Sequence, residues 1–189
     1  MLFRSPAHVS ADLAAGRWLT PATAGLLTSV FLHGGWLHLL GNMLFLWIFG
    51  NNIEDRLGRV PYLLFYLAGG IAASLAQVAI DPSSEVPLVG ASGAIASVLG
   101  AYLVFYPGAR ITSLVFLGFF YQLLNVPAVI VLGYWFALQL IDGVASLGAD
   151  NAQGGVAFFA HIGGFVAGMA VALVARAAGR LVPGMPLRA

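Results

Sequence analysis

The sequence predicts an all-α bundle of membrane-spanning helices. Of its 189 residues, 60% are hydrophobic and only 8% are charged, whereas a soluble domain has about 25% charged residues. So few charges cannot keep a folded surface in water, and the high hydrophobicity excludes intrinsic disorder. Several apolar segments approach the roughly 20 residues that cross a bilayer. Their glycine-rich runs lack the alternation typical of barrel strands, so we expect the spans to be helical.

Five segments are predicted to span the membrane, at about residues 33–50, 60–80, 89–107, 126–147 and 157–177. They define a membrane domain over residues 29–180, followed by a tail at 181–189. Residues 1–28 lack the apolar core of a signal peptide, and we interpret them as an N-terminal arm or loop. The apolar stretch 111–124 is too short to span and ends at Asn125 and Pro127. We expect it to lie in the membrane interface or to dip into it.

Arginine placement predicts the orientation, because cytoplasmic loops are enriched in basic residues. The chain has no lysine, and six of its eight arginines follow spans one, three and five: Arg56, Arg59, Arg110, Arg176, Arg180 and Arg188. With five spans these regions share one side, the cytoplasm, and the arginine-free loops 81–88 and 148–156 lie outside. The N-terminus then lies outside as well. Because such an end is difficult to translocate, we expect a preceding span to be missing from this sequence.

The same topology brings four polar residues to one depth. His38 and Asn42 lie near the outer start of span one, Ser92 near that of span three and His161 near that of span five. Polar side chains inside a membrane are costly and are functional candidates by default. Their agreement in depth predicts a shared site on the outer side.

Ser92 lies in the run GASGA and has two interpretations. Small residues let membrane helices approach closely, so one interpretation is helix packing alone, together with Gly93. The other is a serine nucleophile, which needs a base within hydrogen-bond reach. His161 would be that base, or else a histidine satisfied by a backbone carbonyl. Small residues recur every four positions beside His161, at Gly164 and Gly168, so we expect span five to pack closely against span three.

His38 and Asn42 are four residues apart and share one helix face. Both can donate hydrogen bonds to the oxyanion that forms during acyl transfer; the alternative is that they hold two helices together. His33 is off this face, and we expect it at the mouth of the site or at the membrane interface. Asp142 is a candidate third member of a triad, although its place near the outer end of span four favours a structural role.

The residue types present exclude several classes of chemistry. Without cysteine, the chain has no disulfide, no thiolate metal ligand and no cysteine nucleophile. We expect no metal site, because no Asp, Glu or Cys accompanies the three histidines in the outer halves of these spans. The net charge of +1 argues against nucleic acid as a partner, and no cofactor is predicted.

Three segments of the chain occur in an informative order: FLHGGWLHLLGNMLFLWIFGNNIEDRLG, GASGA and AHIGGFVAG. In this order and spacing, over roughly residues 18–178, they resemble the rhomboid family of intramembrane serine proteases. The resemblance implies six core helices around a water-filled site that opens outward, with a Ser–His dyad. By motif position, it implies Ser92 as the nucleophile and His161 as the general base. It further implies that His38, Asn42 and the Ser92 N–H form the oxyanion hole, with Gly90 beside it.

The resemblance also implies roles outside the dyad. Gly164 and Gly168 match the glycines that dock the last helix on the nucleophile helix, and His33 matches a histidine at the mouth of the second family helix. Glu54 and Arg56 match the structural E-x-R turn of the family.

The chain departs from the family pattern in two ways. The first core helix of the family is absent, so the five spans would be core helices two to six. Some rhomboids also have an aromatic residue four positions after the nucleophile, stacked on the base, and this chain has Ala96 there. We therefore expect Phe158, Phe159 or Phe165 to pack against His161 instead.

The expected function is cleavage of membrane-anchored proteins in or near a transmembrane segment. Substrates would enter from the lipid, with span four, which carries Trp135 and Phe136, as the gate. We expect a bacterial inner membrane, with a mitochondrial membrane as the alternative. Two other functional classes stay open, a non-enzymatic rhomboid-like protein that binds transmembrane helices and a small transporter or channel. Loss of the serine or histidine is typical of the first and polar residues through the whole membrane depth of the second, and the sequence has neither.

Overall fold

The computed structural model describes residues 5–118, 120–147 and 156–179, which form eight helices and one β-hairpin. The helices are α1 (Pro6–Ala14), α2 (Pro21–Thr28), α3 (Trp36–Phe45), α4 (Asn51–Leu57), α5 (Arg59–Ile80), α6 (Ser92–Phe105), α7 (Ala128–Ser146) and α8 (Phe158–Ala177). A 3₁₀ turn at Ser29–Phe31 follows α2, and a π-helical turn at Leu46–Gly50 joins α3 to α4. The predicted tail at 181–189 lies outside the described residues.

The central helix of the bundle is α6, around which α5, α7 and α8 pack. Residues 93–102 of α6 are all buried. The helix has 14 residues, about 21 Å at 1.5 Å per residue, and is shorter than the predicted segment 89–107. Gly90 has a φ of 118°, which no α-helix contains, and Pro107 disfavours a helical backbone at the residue before it. Because other helices cover it, α6 buries its apolar side chains against protein.

Three helices, α5, α7 and α8, are long and apolar enough to cross a membrane. The segments Pro21–Phe31 and Trp36–Leu57 pass the same test together as a pair bent by 73°. Among the described residues there are thus three candidate spans, or four with the bent pair, and this count does not confirm five spans. The predicted boundaries of spans two, four and five nevertheless agree with α5, α7 and α8 to within a few residues.

The helices α1 and α2 correct the interpretation of the N-terminal segment as an arm or loop. Val9 on α1 and Ala22 on α2 are buried against Val78 near the end of α5. Ser5, just ahead of α1, donates from its hydroxyl to the carboxylate of Glu85. These helices therefore pack against the end of α5 and the loop that follows it. The hydropathy pattern does not reveal them, because they have only nine and eight residues.

Between α6 and α7 the chain forms an antiparallel hairpin of β1 (Arg110–Leu117) and β2 (Phe120–Pro127). The hairpin departs from the all-α prediction, which treated this apolar stretch as one interfacial segment. Its turn uses Gly118, whose φ of 70° lies in the left-handed region that glycine adopts without strain.

The hairpin exposes large apolar side chains, among them Leu114, Phe120, Tyr121 and Leu123. Contiguous exposed apolar surface on a protein marks contact with another apolar phase. A position at the membrane interface therefore stays our prediction for this segment.

At the opposite end of α6 from Ser92, Arg56 fixes α4 against the bundle. Its guanidinium lies over the rings of Phe105 and Tyr106, 5.0 and 5.4 Å from their centroids. The hydroxyl of Tyr106 donates to the carbonyl of Asn52 at 2.9 Å. These contacts give the turn that contains Glu54 and Arg56 a structural role.

Candidate active site

Ser92 is the first residue of α6. The positive φ of Gly90 turns the preceding loop into the helix, and the Gly90 N–H donates to the Ser29 carbonyl at 3.0 Å. At the first position of a helix, the backbone N–H has no partner inside the helix. The helix dipole also favours negative charge at this end. The location therefore suits a nucleophile whose reaction creates an oxyanion.

His161 lies in the first turn of α8, and its Nε2 atom is 2.7 Å from the Oγ atom of Ser92. This is an ordinary hydrogen-bond distance, and it is short enough for proton transfer between a nucleophile and a general base. The structure thus brings together the two residues that were predicted to form a dyad.

Close packing of α8 on α6 sets this distance. A Cβ atom added at Gly164 would overlap the carbonyl oxygen of Gly93, and one added at Gly168 would overlap the carbonyl oxygen of Ser97. Gly93 itself faces α5, where an added Cβ would lie 2.6 Å from the Cβ of Ala73. All three glycines singled out in the sequence therefore lie where helix backbones meet, which is how small residues allow membrane helices to approach.

The other ring nitrogen of His161 contacts a residue that the sequence analysis missed. Its Nδ1 atom lies 2.7 Å from the Oε1 atom of Gln139 on α7. Asp142, the candidate third triad member, is exposed, whereas Gln139 lies about one turn before it. A polar side chain in the otherwise apolar middle of α7 was the available signal for Gln139, because such residues are rarely without a role in a membrane span.

The aromatic ring against His161 is that of Trp135, also on α7, with centroids 5.9 Å apart. Phe165, one of the three phenylalanines expected in this position, packs behind it, 6.0 Å from Trp135. The expectation of Phe158, Phe159 or Phe165 on the imidazole is therefore wrong. Phe165 lies one helical turn beyond His161, and its ring stacks on Phe136 of α7.

His38 and Gly90 lie in direct contact across the site. A Cβ atom added at Gly90 would lie 2.7 Å from both the Cε1 and Nε2 atoms of His38. The Nδ1 atom of His38 accepts a long hydrogen bond of 3.4 Å from the Gly34 N–H. A ring that accepts at Nδ1 carries its proton on Nε2, so His38 presents an N–H next to Gly90 and the start of α6.

Asn42 is buried, and its Nδ2 donates to the His38 carbonyl one turn earlier at 2.9 Å. An amide nitrogen has two N–H groups, so this bond leaves the second one for the cavity that Asn42 lines. The ring of His33 meets that of His38 edge-on, with centroids 5.3 Å apart. His33 therefore lies beside the candidate oxyanion donors, and it is absent from the lining of the cavity.

A cavity of about 430 Å³ connects these groups. Its polar lining comprises Ser92, His161, His38 and Asn42, and its apolar lining includes Phe45, Ile95, Leu99 and Trp135. The polar groups thus line a largely apolar chamber between α3, α6, α7 and α8. Over the described residues, no three His, Asp or Glu side chains are arranged to hold a metal ion.

Comparison with known proteins gives the family. The family model described as "Rhomboid domain" matches residues 20–178. This chain belongs to the rhomboid family. It is accordingly an integral multi-pass membrane protein, and the resemblance seen in the three sequence motifs is confirmed.

Rhomboid relatives come from bacteria, plants, yeast and vertebrates, and those from yeast and vertebrates are named as mitochondrial. The chain is 43% identical over 91 residues to rhomboid protease GluP of Bacillus subtilis (strain 168), covering 48% of this chain and 16% of the relative. It is 38% identical over 78 residues to RHOMBOID-like protein 5 of Arabidopsis thaliana, covering 41% and 25%. It is 40% identical over 75 residues to the chloroplastic Rhomboid-like protein 11 of the same plant, covering 40% and 26%. In each case the match spans about a quarter or less of the relative's length.

Proposed function

We propose that this rhomboid is an intramembrane serine endopeptidase with Ser92 as nucleophile and His161 as general base. The observation that carries the proposal is the distance of 2.7 Å between Ser92 Oγ and His161 Nε2 in a largely apolar cavity. The name of the Bacillus relative as a protease supports the same reaction class. The protein needs no cofactor or metal for this reaction, and its partners are transmembrane proteins in a lipid bilayer.

The proposed chemistry follows the logic of serine proteases. His161 takes the hydroxyl proton as Ser92 attacks the scissile carbonyl, and a tetrahedral oxyanion forms. His161 then gives this proton to the leaving amine, which releases one product and leaves an acyl-enzyme. A water molecule that enters the cavity loses a proton to His161 and attacks the ester carbonyl. His161 then returns this proton to the Ser92 oxygen as the C–O bond to Ser92 breaks, which releases the second product and restores the dyad.

The oxyanion is stabilised from two sides. The Ser92 N–H at the start of α6 is one donor, and the Nε2–H of His38 and the free N–H of Asn42 are the others. Gly90 keeps the space between them clear, because any side chain there would displace the His38 ring. Donors arranged before the reaction lower the barrier, because they do not reorient as the charge develops.

Substrates are proteins anchored in the membrane and cut in or near a transmembrane segment. A helical substrate hides its carbonyl groups in hydrogen bonds, so it must partly unwind before Ser92 can attack. Segments with Gly or Pro near the cut unwind more easily, because both residues disfavour a helix. The cavity lies between α3 and α7, and we place the lateral entrance from the lipid between these helices.

The proposal includes a topology of five spans with the active site facing outward. In this arrangement α6 crosses most of the bilayer inside the bundle, and the bent pair supplies the first span. We place the protein in a bacterial cell membrane, which the Bacillus relative supports.

A serine-directed test decides between the protease and its main alternative. One sample of the purified protein in proteoliposomes is assayed for cleavage of a fluorescent transmembrane substrate, without the probe. A second sample is treated with a fluorophosphonate probe and digested to locate the label. We expect label on Ser92 and cleavage in the wild type, and neither in Ser92→Ala or His161→Ala. Ser83→Ala, at an exposed loop serine, is the matched control. Substrate binding without label or cleavage would instead indicate a non-enzymatic binder of transmembrane helices.

A further inference from the structure

We infer that Gln139 is a positioning residue that fixes the tautomer and ring orientation of His161 and thereby couples the base to α7. This inference rests on the proposed function of His161 as a general base. Its starting observation is the distance of 2.7 Å between Gln139 Oε1 and His161 Nδ1.

The two ring nitrogens of His161 each have a hydrogen-bond partner, and only one placement of the ring hydrogen allows catalysis. To accept a proton from Ser92, the Nε2 atom of His161 must be unprotonated, so the neutral ring must carry its hydrogen on Nδ1. The Oε1 atom of Gln139 accepts from that Nδ1–H. The opposite amide orientation would donate to Nδ1 and place the ring hydrogen on Nε2, facing Ser92, where it blocks general-base catalysis.

Gln139 performs with a neutral amide the task that a carboxylate performs in a triad. Within the described ranges, the charged or titratable groups near the ring are few: His38 lies across the cavity, and Asp142 on the next turn of α7 is exposed. A neutral acceptor selects the same tautomer as a carboxylate, and it does so without placing a second charge in an apolar environment.

The coupling to α7 follows from a second contact on the same helix. Trp135, four residues before Gln139, also lies against the His161 ring, with the ring centroids 5.9 Å apart. Ser92 approaches from α6, whose distance from α8 is fixed by the glycine contacts. Movement of α7 therefore leaves Ser92 beside His161 and removes both groups that hold the ring in its productive orientation.

The first test reads the tautomer directly and needs no activity. Protein with ¹⁵N-labelled histidine in lipid nanodiscs is examined by NMR, and the His161 ring signals are assigned by their loss in His161→Asn. We expect the hydrogen on Nδ1 in the wild type, and a loss of this preference in Gln139→Leu. Gln122→Leu, on the exposed strand β2, is the matched control and keeps the wild-type pattern. Wild-type protein with the hydrogen on Nε2 would overturn the inference.

The second test is kinetic and separates positioning from stability. General-base catalysis contributes about 10²–10⁴-fold, so we expect Gln139→Leu to lower kcat at least about tenfold with little change in KM. Gln139→Glu keeps the acceptor and should restore most of the turnover. Because an adjacent carboxylate stabilises the protonated imidazole, its acid limb in the pH–rate profile should move to higher pH. A Gln139→Leu enzyme with wild-type kcat, or a Gln139→Glu enzyme as slow as Gln139→Leu with an unmoved profile, would refute the inference.

Failure of the proposed function would be recognised separately. If the wild type neither cleaves substrate nor reacts with the fluorophosphonate probe, the protease proposal fails. The tautomer measurement on the same wild-type and variant proteins then decides whether Gln139 orients His161.

Discussion

Gly168 on α8 lies directly against the carbonyl group of Ser97 on α6, so closely that a methyl group on Gly168 would overlap the oxygen atom. Two turns of α8 separate this contact from His161, and more than one turn of α6 separates it from Ser92. The relative position of the two candidate catalytic side chains is therefore set by a contact between the main chains of α6 and α8, outside the cavity itself.

Gly168→Val should push α8 away from α6. Overpacking of a tight contact costs about 1–3 kcal/mol or more, and here the opposing atom is a backbone oxygen that cannot change rotamer. We expect a loss of about 3 kcal/mol, or roughly 6–12 °C in the unfolding midpoint for a chain of this size. Differential scanning fluorimetry in detergent measures it.

The matched control for this experiment is Gly133→Ala on α7. A Cβ atom at Gly133 meets no other atom within 4 Å, and alanine favours a helix over glycine. The midpoint should stay the same or rise slightly. Equal losses in both variants would show that glycine content, and not the contact with Ser97, determines stability.

Asn42→Ala should reduce turnover without abolishing it. Loss of one oxyanion donor typically costs about 10²–10³-fold in kcat, while the Ser92 N–H and His38 still stabilise the charge. Because donation begins as the oxyanion develops, KM should change little. Steady-state cleavage in proteoliposomes checks this, and an unchanged kcat would remove Asn42 from the oxyanion hole.

Gly90→Ala should lower kcat more than the addition of one methyl group would suggest. The φ of 118° is strained for alanine, and the new Cβ would displace His38 from a position 2.7 Å away. We expect kcat to fall by at least the factor seen for a single lost donor, about 10²-fold. Gly108→Ala is the control, because an added Cβ there meets nothing within 4 Å; a wild-type rate in Gly90→Ala would contradict the assigned geometry.

A crosslink between α3 and α7 should stop cleavage of transmembrane substrates. The chain has no cysteine, so pairs introduced at Leu37 or Leu44 on α3 and at Leu138 or Ile141 on α7 react with a bifunctional thiol reagent without background. We expect less than about a tenth of the turnover in crosslinked protein and recovery with a cleavable reagent. Labelling of Ser92 by a small fluorophosphonate should persist, because the probe can reach the cavity without a gap between α3 and α7 wide enough for a substrate helix. Full cleavage after complete crosslinking would exclude this entrance.

The hairpin should contact lipid. A single cysteine at Phe120, labelled with an environment-sensitive fluorophore in nanodiscs, should give a blue-shifted emission that spin-labelled lipids quench. A cysteine at Ser83 in an exposed loop is the comparison site. Emission at Phe120 equal to that at Ser83 would place the hairpin in water.

Much of the site was predictable because the separation of its residues along the sequence determines which of them share a helix face. Small residues every four positions on α8 predict a close helix contact, and His38 and Asn42 share a face through their separation of four. The residue that orients His161 was not predicted, because Gln139 belongs to no motif and only its three-dimensional neighbour gives it meaning.

The fold was predictable where apolar length decides it and not elsewhere. The spans α5, α7 and α8 follow from hydropathy alone, since each approaches the thickness of a bilayer. The hairpin did not, because a short apolar run has the same composition as a strand pair or as an interfacial helix. Gly118 in the middle of that run was the available sign of a turn.

The contacts of Gly164 and Gly168 also affect how this protein tolerates sequence change. They join main-chain atoms, which every amino acid shares, so the separation of α6 from α8 is independent of the side chains on their outward faces. Residues such as Val171 and Val174, exposed on α8, are free to vary. The outer surface can thus adapt to bilayers of different thickness and lipid composition while the chemistry inside stays unchanged.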